Sequence, residues 1–450
     1  MEFDTIVAIS TAVGDGAISI VRVSGKDAIG EVSKIFTKDL TKVNSHTIHY
    51  GFINDNGIDI DEVLVTVMKS PRSFTTEDVV EISCHGGYAV TNKIFETILK
   101  QNVRIAEPGE FTKRAFLNGR IDLVQAEAIS DLIKAKTDLS MSVALNSLKK
   151  SVSSQVEVLR SFVLSLIANI EVNIDYPEYD DIDQLTSEII IPKALEIKSK
   201  LSSLLNNARD GQIIEKGLVM SIIGSPNVGK SSLLNRLIGE NKAIVTDVAG
   251  TTRDTVESEI VIGGVLFKLI DTAGIRKTDD IVESIGVEKS LDILTKSDIV
   301  LYVLDSSCEV SDEQRILLDQ IKSLNHLVLL NKQDLESKID YDLSEFNTLK
   351  ISALKDINIE KVDEKIIDIL KLNEMNYIDQ TVVTKTRHIS HLNNALNSIN
   401  EVISAAEIGI ELDLISIDIN NIYFELGNVL GYEVSDDILD KLFSEFCLGK

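Results

Sequence analysis

Over the first 118 residues, Val and Ile gather in short runs bounded by Gly, Asp or Pro: "TIVAIS", "GAISIVRVSG", "DEVLVTVM" and "DVVEISCHGG". Runs of this length and make-up predict β-strands. "GGYAVTNKIFETILKQN" instead repeats its apolar positions at Val90, Ile94 and Ile98, the period of a helix. The opening segment therefore predicts an α+β domain. Beyond it the pattern changes: Leu145, Leu148, Val152, Val156, Leu159, Val163, Ile167 and Ile170 fall on one face of a single long helix. "DYPEYDD" at 175–181 ends that helix, because proline and an acidic cluster cannot continue the ladder. A second helical pattern passes through Leu195, Leu201 and Leu205 and stops near Gly211.

From about 217 to 373, apolar strands alternate with helices: "LVMSIIG", "LFKLIDTAG", "DIVLYVLD", "HLVLLNK" and "NTLKISA". Continuous apolar strands at such intervals predict a parallel sheet covered on both faces. After about 380 the helical period returns at Leu392, Leu396, Ile399, Val402 and Ile403, then at Ile419, Ile422, Leu426 and Val429. Helices on both sides of an intact α/β unit predict one helical domain with that unit inserted. The expected boundaries are 1–118 for the α+β domain, 119–214 and 375–450 for the two parts of the helical domain, and 215–374 for the inserted α/β domain.

Composition adds two constraints. With 45 Lys+Arg against 71 Asp+Glu the net charge is −26, and the last seventy residues hold 4 basic and 11 acidic side chains. A field of that sign repels phosphate backbones and anionic lipid, so any nucleic acid is expected to be gripped with help from a partner. A solubility adaptation explains the charge equally well. Cys84, Cys308 and Cys447 lie far apart in no metal spacing, which argues for a reducing compartment. No stretch is apolar for long enough to span a membrane and the N-terminus lacks a signal-peptide pattern, so the cytoplasm is the expected location.

The chemistry begins at Gly224–Ser231, "GSPNVGKS", which fits G-x-x-x-x-G-K-S between a strand and a helix. Its glycines let backbone N–H groups turn toward phosphate, Lys230 reaches the terminal phosphates and the Ser231 hydroxyl suits Mg²⁺. "DTAG" (Asp271, Thr272, Ala273, Gly274) ends a strand, where the Asp supports Mg²⁺ and the Gly N–H can sense a γ-phosphate. "NKQD" supplies Asn331, Lys332 and Asp334, whose carboxylate can accept from both N–H groups of guanine; Ser352 and Ala353 of "SAL" can offer a backbone N–H to the base carbonyl. In this order the motifs define a GTP-binding domain. The nucleotide contacts expected from these motifs are Asn227, Val228, Gly229, Lys230, Ser231 and Ser232, with the three later motifs.

The position that carries a water-orienting glutamine in Ras-like enzymes is Ile275, which cannot do that work. Charge at the transition state must still be neutralised. A monovalent cation between the Asn227 side chain and backbone oxygens of "VTDVAGTTRD" (245–254) is one supply. Asn227 as a mere turn-former after Pro226 is the other reading, and the residues leave both open.

Over its full length the chain resembles the MnmE (TrmE) family of tRNA-modifying GTPases. The resemblance rests on "GAISIVRVSG", "DVVEISCHGG", "EPGEFTKRAFLNGRIDLVQAEAISDLI", "GSPNVGKSSLLN", "IVTDVAGTTRDTVE", "DTAGIR" and the terminal "FCLGK". It implies a multidomain α/β and α fold: an N-terminal α+β domain that binds tetrahydrofolate and dimerises, a helical domain, and an inserted Ras-like P-loop GTPase domain. It further implies that Thr246, Asp247, Val248, Ala249, Gly250, Thr251 and Thr252 line the nucleotide, that Asn227, Thr246, Val248 and Thr251 coordinate potassium, that Ser231 and Thr252 hold Mg²⁺, and that Glu283 orients the attacking water. Arg22, Glu81, Arg120 and Lys450 fall at the family's folate contacts, for 5-formyl- or 5,10-methylene-tetrahydrofolate, and Cys447 sits in the tail motif as a candidate for the modification chemistry. His85 reads as a structural turn residue. Glu81 can accept from pterin N–H groups while the cations meet carboxylates.

The implied activity is potassium-activated GTP hydrolysis coupled, with the flavoprotein MnmG, to aminomethyl or carboxymethylaminomethyl addition at C5 of the wobble uridine (position 34) of certain tRNAs. The implied assembly is a homodimer within a heterotetramer of two such chains and two MnmG chains, with tRNA held mainly by MnmG. Two other readings compete: a regulatory GTPase of the Era or Der type acting in ribosome assembly, and a folate-dependent methyltransferase with an incidental nucleotide domain. The acidic charge fits the first of these poorly, and the completeness of the GTPase motifs weakens the second.

Overall fold

The computed structural model describes residues 4–12, 14–175, 187–242, 256–271, 294–372, 380–446 and 449. The chain divides into two compact units, one of residues 1–133, 147–199 and 391–450 and the other of residues 134–146 and 200–390.

In the first unit, β1 (Ile6–Ile9), β2 (Ile18–Ser24), β3 (Thr47–Asp55), β4 (Ile58–Met68), β5 (Val79–His85) and β6 (Arg104–Ile105) form a six-stranded sheet of order β3-β4-β5-β2-β1-β6. Every neighbouring pair is antiparallel except β1–β6. Strand alternation sends Val21, Val23, Val65, Val80 and Ile82 to one face, where they pack with Ile29 and Val32 of α1 (Ala28–Ser33) and Ile94 and Ile98 of α2 (Tyr88–Leu99). The same alternation turns Arg22 and Glu81 to the opposite face, which also bears the exposed side chains of Ile48, Tyr50 and Leu64. The sequence pattern missed β3. Its signal is the turn Asn56-Gly57, both at positive φ (53° and 91°), which joins it to β4.

The helical part corrects two expectations. The long helix predicted from Leu145 to Ile170 is two helices, α5 (Asp138–Leu148) and α6 (Ser151–Asp175). Lys150 adopts φ 71°, a left-handed conformation through which an α-helix cannot pass. Only from Val152 onward does the face continue into the core, where Val156, Leu159, Val163 and Ile170 are buried and α6 packs along the helix Leu412–Leu430. Nor does the second helical stretch end at Gly211. α7 (Ser187–Asn206) is followed by α8 (Ala208–Lys216), and Gly211 lies inside α8. A Cβ there would stand 2.4 Å from the Val383 carbonyl oxygen, so this glycine marks a close approach and not a stop. The buried face of α7 runs through Ile190, Ala194, Ile197, Leu201 and Leu204, leaving Leu195 exposed.

α3 (Glu110–Leu117) carries Arg114, which is 1% exposed and surrounded by acid. Its guanidinium donates to the Asp4 carbonyl at 2.7 Å, to Asp4 Oδ1 at 3.1 Å, to Glu110 Oε1 at 2.8 Å and to both Glu77 carboxylate oxygens at 3.2 Å. Arg104 joins from the surface, donating to Asp4 and Glu110 at 2.6 Å each. Arg104 is the main influence holding the Asp4 carboxyl below its usual 3.8. Burial pushes Glu110 up, but hydrogen bonds from Arg104, the Glu107 backbone and Arg114 outweigh it and leave the carboxyl below 4.5. Groups depressed in this way stabilise the fold fully above their unfolded values and lose that contribution as pH falls through the folded ones. Thermal melts of the protein are therefore expected to lose stability progressively below pH 4.5. The acid dependence should be shallower in Arg104→Met than in the unaltered chain; identical profiles would remove this network as its source.

In the second unit, β7 (Leu218–Ile223), β8 (Val256–Ile262), β9 (Val265–Asp271), β10 (Ile299–Asp305), β11 (His326–Asn331) and β12 (Thr348–Lys350) form a sheet of order β12-β11-β10-β7-β9-β8. Helices cover both faces. Leu233 and Leu237 of α9 (Lys230–Lys242) pack with Leu301, Val303 and Leu329 on one, while Leu318 and Ile321 of α10 (Asp312–Ile321) pack with Val300, Tyr302 and Leu304 on the other. The sheet is not wholly parallel as expected: β8 runs antiparallel to β9. Gly263 and Gly264, both at positive φ (60° and 79°), form the two-residue turn between them.

Candidate nucleotide and folate sites

The nucleotide loop is fixed by backbone conformations that only certain residues hold cheaply. Gly224 leaves β7 at φ 150° and a Cβ there would lie 2.4 Å from the Val303 carbonyl oxygen. Asn227 sits at φ 63°, a left-handed position that Asn tolerates better than most residues. Gly229 sits at φ 101°, where a Cβ would meet the Asn331 amide nitrogen at 2.2 Å. The loop then opens α9, whose first turn begins with Lys230, Ser231 and Ser232, so that the helix N-terminus adjoins the loop. Lys230 Nζ donates to the carbonyls of Gly224 and Ser225 at 2.7 and 2.8 Å, so its ammonium lies within the ring of the loop.

Asn331 ties this loop to the base-recognition segments. It is 3% exposed; its Nδ2 donates to the Val228 carbonyl at 2.7 Å and its Oδ1 accepts from the Ala353 N–H at 2.9 Å. The "NKQD" and "SAL" motifs and the phosphate loop therefore meet at one side chain. Ala353, expected to offer its N–H to a base, here spends it on Asn331. Asp334 accepts from the Ser352 hydroxyl at 2.5 Å, and that bond is the foremost cause holding its carboxyl below the usual range. Lys332, at φ 65°, reaches back to Asp305 at the end of β10 (2.6 Å). Burial pushes Asp305 up, yet Lys332 and the hydrogen bonds from Ser307 outweigh it and keep the carboxyl ionised.

Asp271 ends β9 directly opposite Ile222 of β7, one residue short of the loop's strand end. Residues 246–252, Thr272, Ala273, Gly274, Ile275, Glu283, Cys447 and Lys450 lie outside the described residues. Sequence reasoning missed Gln314, whose Nε2 donates to the Ser225 hydroxyl at 3.0 Å while its Oε1 helps cap α10. No sequence signal joins residues that far apart.

In the first unit, Arg22 and Glu81 are neighbours across β2 and β5 and form an ion pair of 2.8 Å. They were expected as separate contacts; the register makes them one unit. Arg22 Nη1 also donates to the Gly449 carbonyl at 3.1 Å, as does the Ser10 hydroxyl. Gly449 (φ 84°) lies so close to β1 that a Cβ would stand 2.5 Å from the Ile9 carbonyl oxygen. This sets Gly449 of the terminal "CLGK" beside Arg22, the partner of Glu81. Phe74, also unforeseen, links the third contact: the Arg22 guanidinium lies 6.0 Å from its ring centroid and that of Arg120 lies 4.9 Å from it. Arg120 Nη1 donates to the Phe74 carbonyl at 3.0 Å. His85, read as a turn residue, is instead the exposed last residue of β5, and its bond to Asp61 raises its pKa. Cys84 is buried, and burial pushes its thiol up, away from reactivity.

Among the described residues, no group of His, Cys, Asp and Glu is arranged to hold a metal, and no helix is long and apolar enough to cross a membrane. The ordered phosphate loop, the clamp from Asn331 and the Asp334 carboxylate on a largely parallel, doubly covered sheet define a P-loop GTPase.

Residues 123–447 match the family described as the MnmE helical domain, and residues 5–120 match the GTP-binding protein TrmE N-terminus. The tRNA modification GTPase MnmE of Enterococcus faecalis is 50% identical over 460 residues, covering 100% of this chain and 99% of that protein. The protein of the same name from Bacillus mycoides is 49% identical over 458 residues, covering 100% of both. The solved FeoB G-domain from Methanococcus jannaschii is 28% identical over 34% of this chain and 98% of its own, with a TM-score of 0.25. The chain belongs to the MnmE (TrmE) family of tRNA modification GTPases.

Proposed function

We propose that this chain hydrolyses GTP and couples the hydrolysis to modification of tRNA. Its kinship with tRNA modification GTPases along the whole chain carries the reading, and it favours this over an Era- or Der-type role in ribosome assembly. The finer proposal is that the chain works as a homodimer with MnmG, two chains of each, on C5 of the wobble uridine. MnmG then contributes most of the basic tRNA surface that a −26 chain lacks. The exposed apolar side chains Ile48, Tyr50 and Leu64 on the open face of the first sheet support a self-contact there.

At the nucleotide, Lys230 exchanges its loop carbonyls for terminal phosphate oxygens, and Asp334, steadied by Ser352, accepts from the two N–H groups of guanine. Ser231, at the start of α9, would hold Mg²⁺ together with Thr252. Asn227, whose left-handed backbone puts it on the crest of the loop, would hold potassium with Thr246, Val248 and Thr251. Bound there, the two cations would supply the positive charge that phosphoryl transfer needs. Glu283 orients water in the absence of a glutamine at 275. Arg22, Glu81, Arg120 and Lys450 hold a tetrahydrofolate one-carbon donor, and Cys447 serves the modification itself. The ion pair with Arg22 fixes the Glu81 carboxylate as an acceptor for the pterin N–H groups.

The test is GTP turnover in potassium against sodium, with binding of 5-formyltetrahydrofolate followed by calorimetry. Potassium is expected to raise turnover at least ~10-fold, below the about 10³–10⁵ that an arginine finger supplies. Asn227→Ala should abolish the difference between the two salts, and persistence of the stimulation would remove Asn227 from the ion site. Indifference to potassium together with no folate binding would return the chain to the regulatory reading.

A further inference from the structure

An open cleft of about 520 Å³ follows β4, lined by His46, Pro71, Arg72, Phe74, Asn118 and Arg120. Two of these are cations on a chain of net charge −26, and neither has a carboxylate partner among the described residues. Arg72 is exposed and its guanidinium makes no hydrogen bond or ion pair there. Arg120 gives one N–H to the Phe74 carbonyl and lies over the Phe74 ring, so its remaining donors face the cleft mouth. Several other cations of this unit are paired: Arg22 with Glu81, Arg104 and Arg114 with Asp4 and Glu110, Lys100 with Asp55. Unspent guanidinium groups at a concave site are suited to an anion brought by a ligand.

Direction narrows the choice of anion. The Phe74 ring is shared by Arg22, the partner of Glu81, at 6.0 Å from its centroid and by Arg120 at 4.9 Å. A ligand with its pterin at Glu81 and its body along Phe74 would bring its tail past Arg120 to Arg72. We propose that this cleft takes the γ-linked glutamate chain of conjugated folates, with Arg120 and Arg72 meeting successive carboxylates. The proposal rests on the folate reading above. It adds that the donor recognised is the polyglutamylated form, with Arg72 as the residue that senses the added units.

The experiment compares 5-formyltetrahydrofolate with its triglutamate on the full-length protein by calorimetry. The triglutamate is expected to bind roughly tenfold more tightly at low salt, the scale of one or two solvent-exposed charge contacts with favourable geometry, and the preference should shrink as salt is added. Arg72→Ala should bring the ratio of the two affinities to within about twofold, and Arg72→Glu should invert it. Equal affinities in the unaltered protein would overturn the tail subsite while leaving the folate reading intact. A preference that survives both substitutions would overturn it as well, and failure of both ligands to bind would remove both readings together.

Discussion

Arg114→Ala should destabilise the first unit by about 3–5 kcal/mol, the cost of removing one partner from a buried ion cluster. The reason is the company the guanidinium keeps. Without it, Glu110 and Glu77 remain as buried or half-buried carboxylates whose charge was balanced from inside the core. Arg104 still reaches Glu110, but nothing else replaces the bonds to Glu77. Urea unfolding followed by circular dichroism gives the measurement, and a loss under about 1 kcal/mol, the value of an exposed pair, would show that the cluster behaves as surface charge. The effect should reach ligand binding. Glu77 also accepts from the Ser24 hydroxyl at 2.7 Å, and Ser24 bonds Thr75, beside Phe74. Arg114→Lys, which keeps the charge and loses the fork, should fall between the two.

Asn331→Ala should lower GTP affinity by roughly 10²-fold or more. The substitution leaves the Val228 carbonyl and the Ala353 N–H without their partner, both on residues that are almost fully buried. Each orphaned buried group costs about 1–3 kcal/mol, and here the cost is carried by the phosphate loop and the base segment at once. Titration with a fluorescent guanine nucleotide checks it. Affinity within about threefold of the unaltered protein would mean that the loop holds its shape without the clamp. Asn331→Asp keeps the acceptor for Ala353 but places a carboxylate against the Val228 carbonyl, so it should also bind poorly, whereas a purely steric role would leave it near normal.

These two residues differ in how far the sequence announced them. Asn331 belongs to a short motif whose order after "GSPNVGKS" and "DTAG" made the nucleotide site readable. The glycines of that loop are dictated by local backbone angles and close contacts, and local constraints leave local signatures. Arg114 had only a partial signature. Glu110 stands one helical turn before it on α3, but Asp4 and Glu77 lie far off in sequence and reach it only through tertiary structure. The same holds for Phe74 and Gly449 beside Arg22: the resemblance pointed to the charged contacts, while the ring and the tail carbonyl that organise them emerge from tertiary structure. Strand alternation was legible where one face is continuously apolar. It was missed at β3 and β8, "VESEIVI", where polar residues interrupt the run, although Asn56-Gly57 and Gly263-Gly264 are sufficient turn signals for both hairpins. The break at Lys150 was hidden for the opposite reason, since apolar spacing carried through it and no glycine marked the left-handed residue.

The reversed direction of β8 has a topological outcome. In a sheet whose other strands all point their carboxyl ends toward the phosphate loop, a strand running the other way begins at that end: Val256 pairs with Ile270, one residue from Asp271. Val256 is thereby fixed on the nucleotide side of the sheet. Had the strand been parallel, Val256 would have stood at the opposite rim, a whole strand length from any triphosphate. A two-glycine hairpin thus decides at which end of the sheet β8 begins.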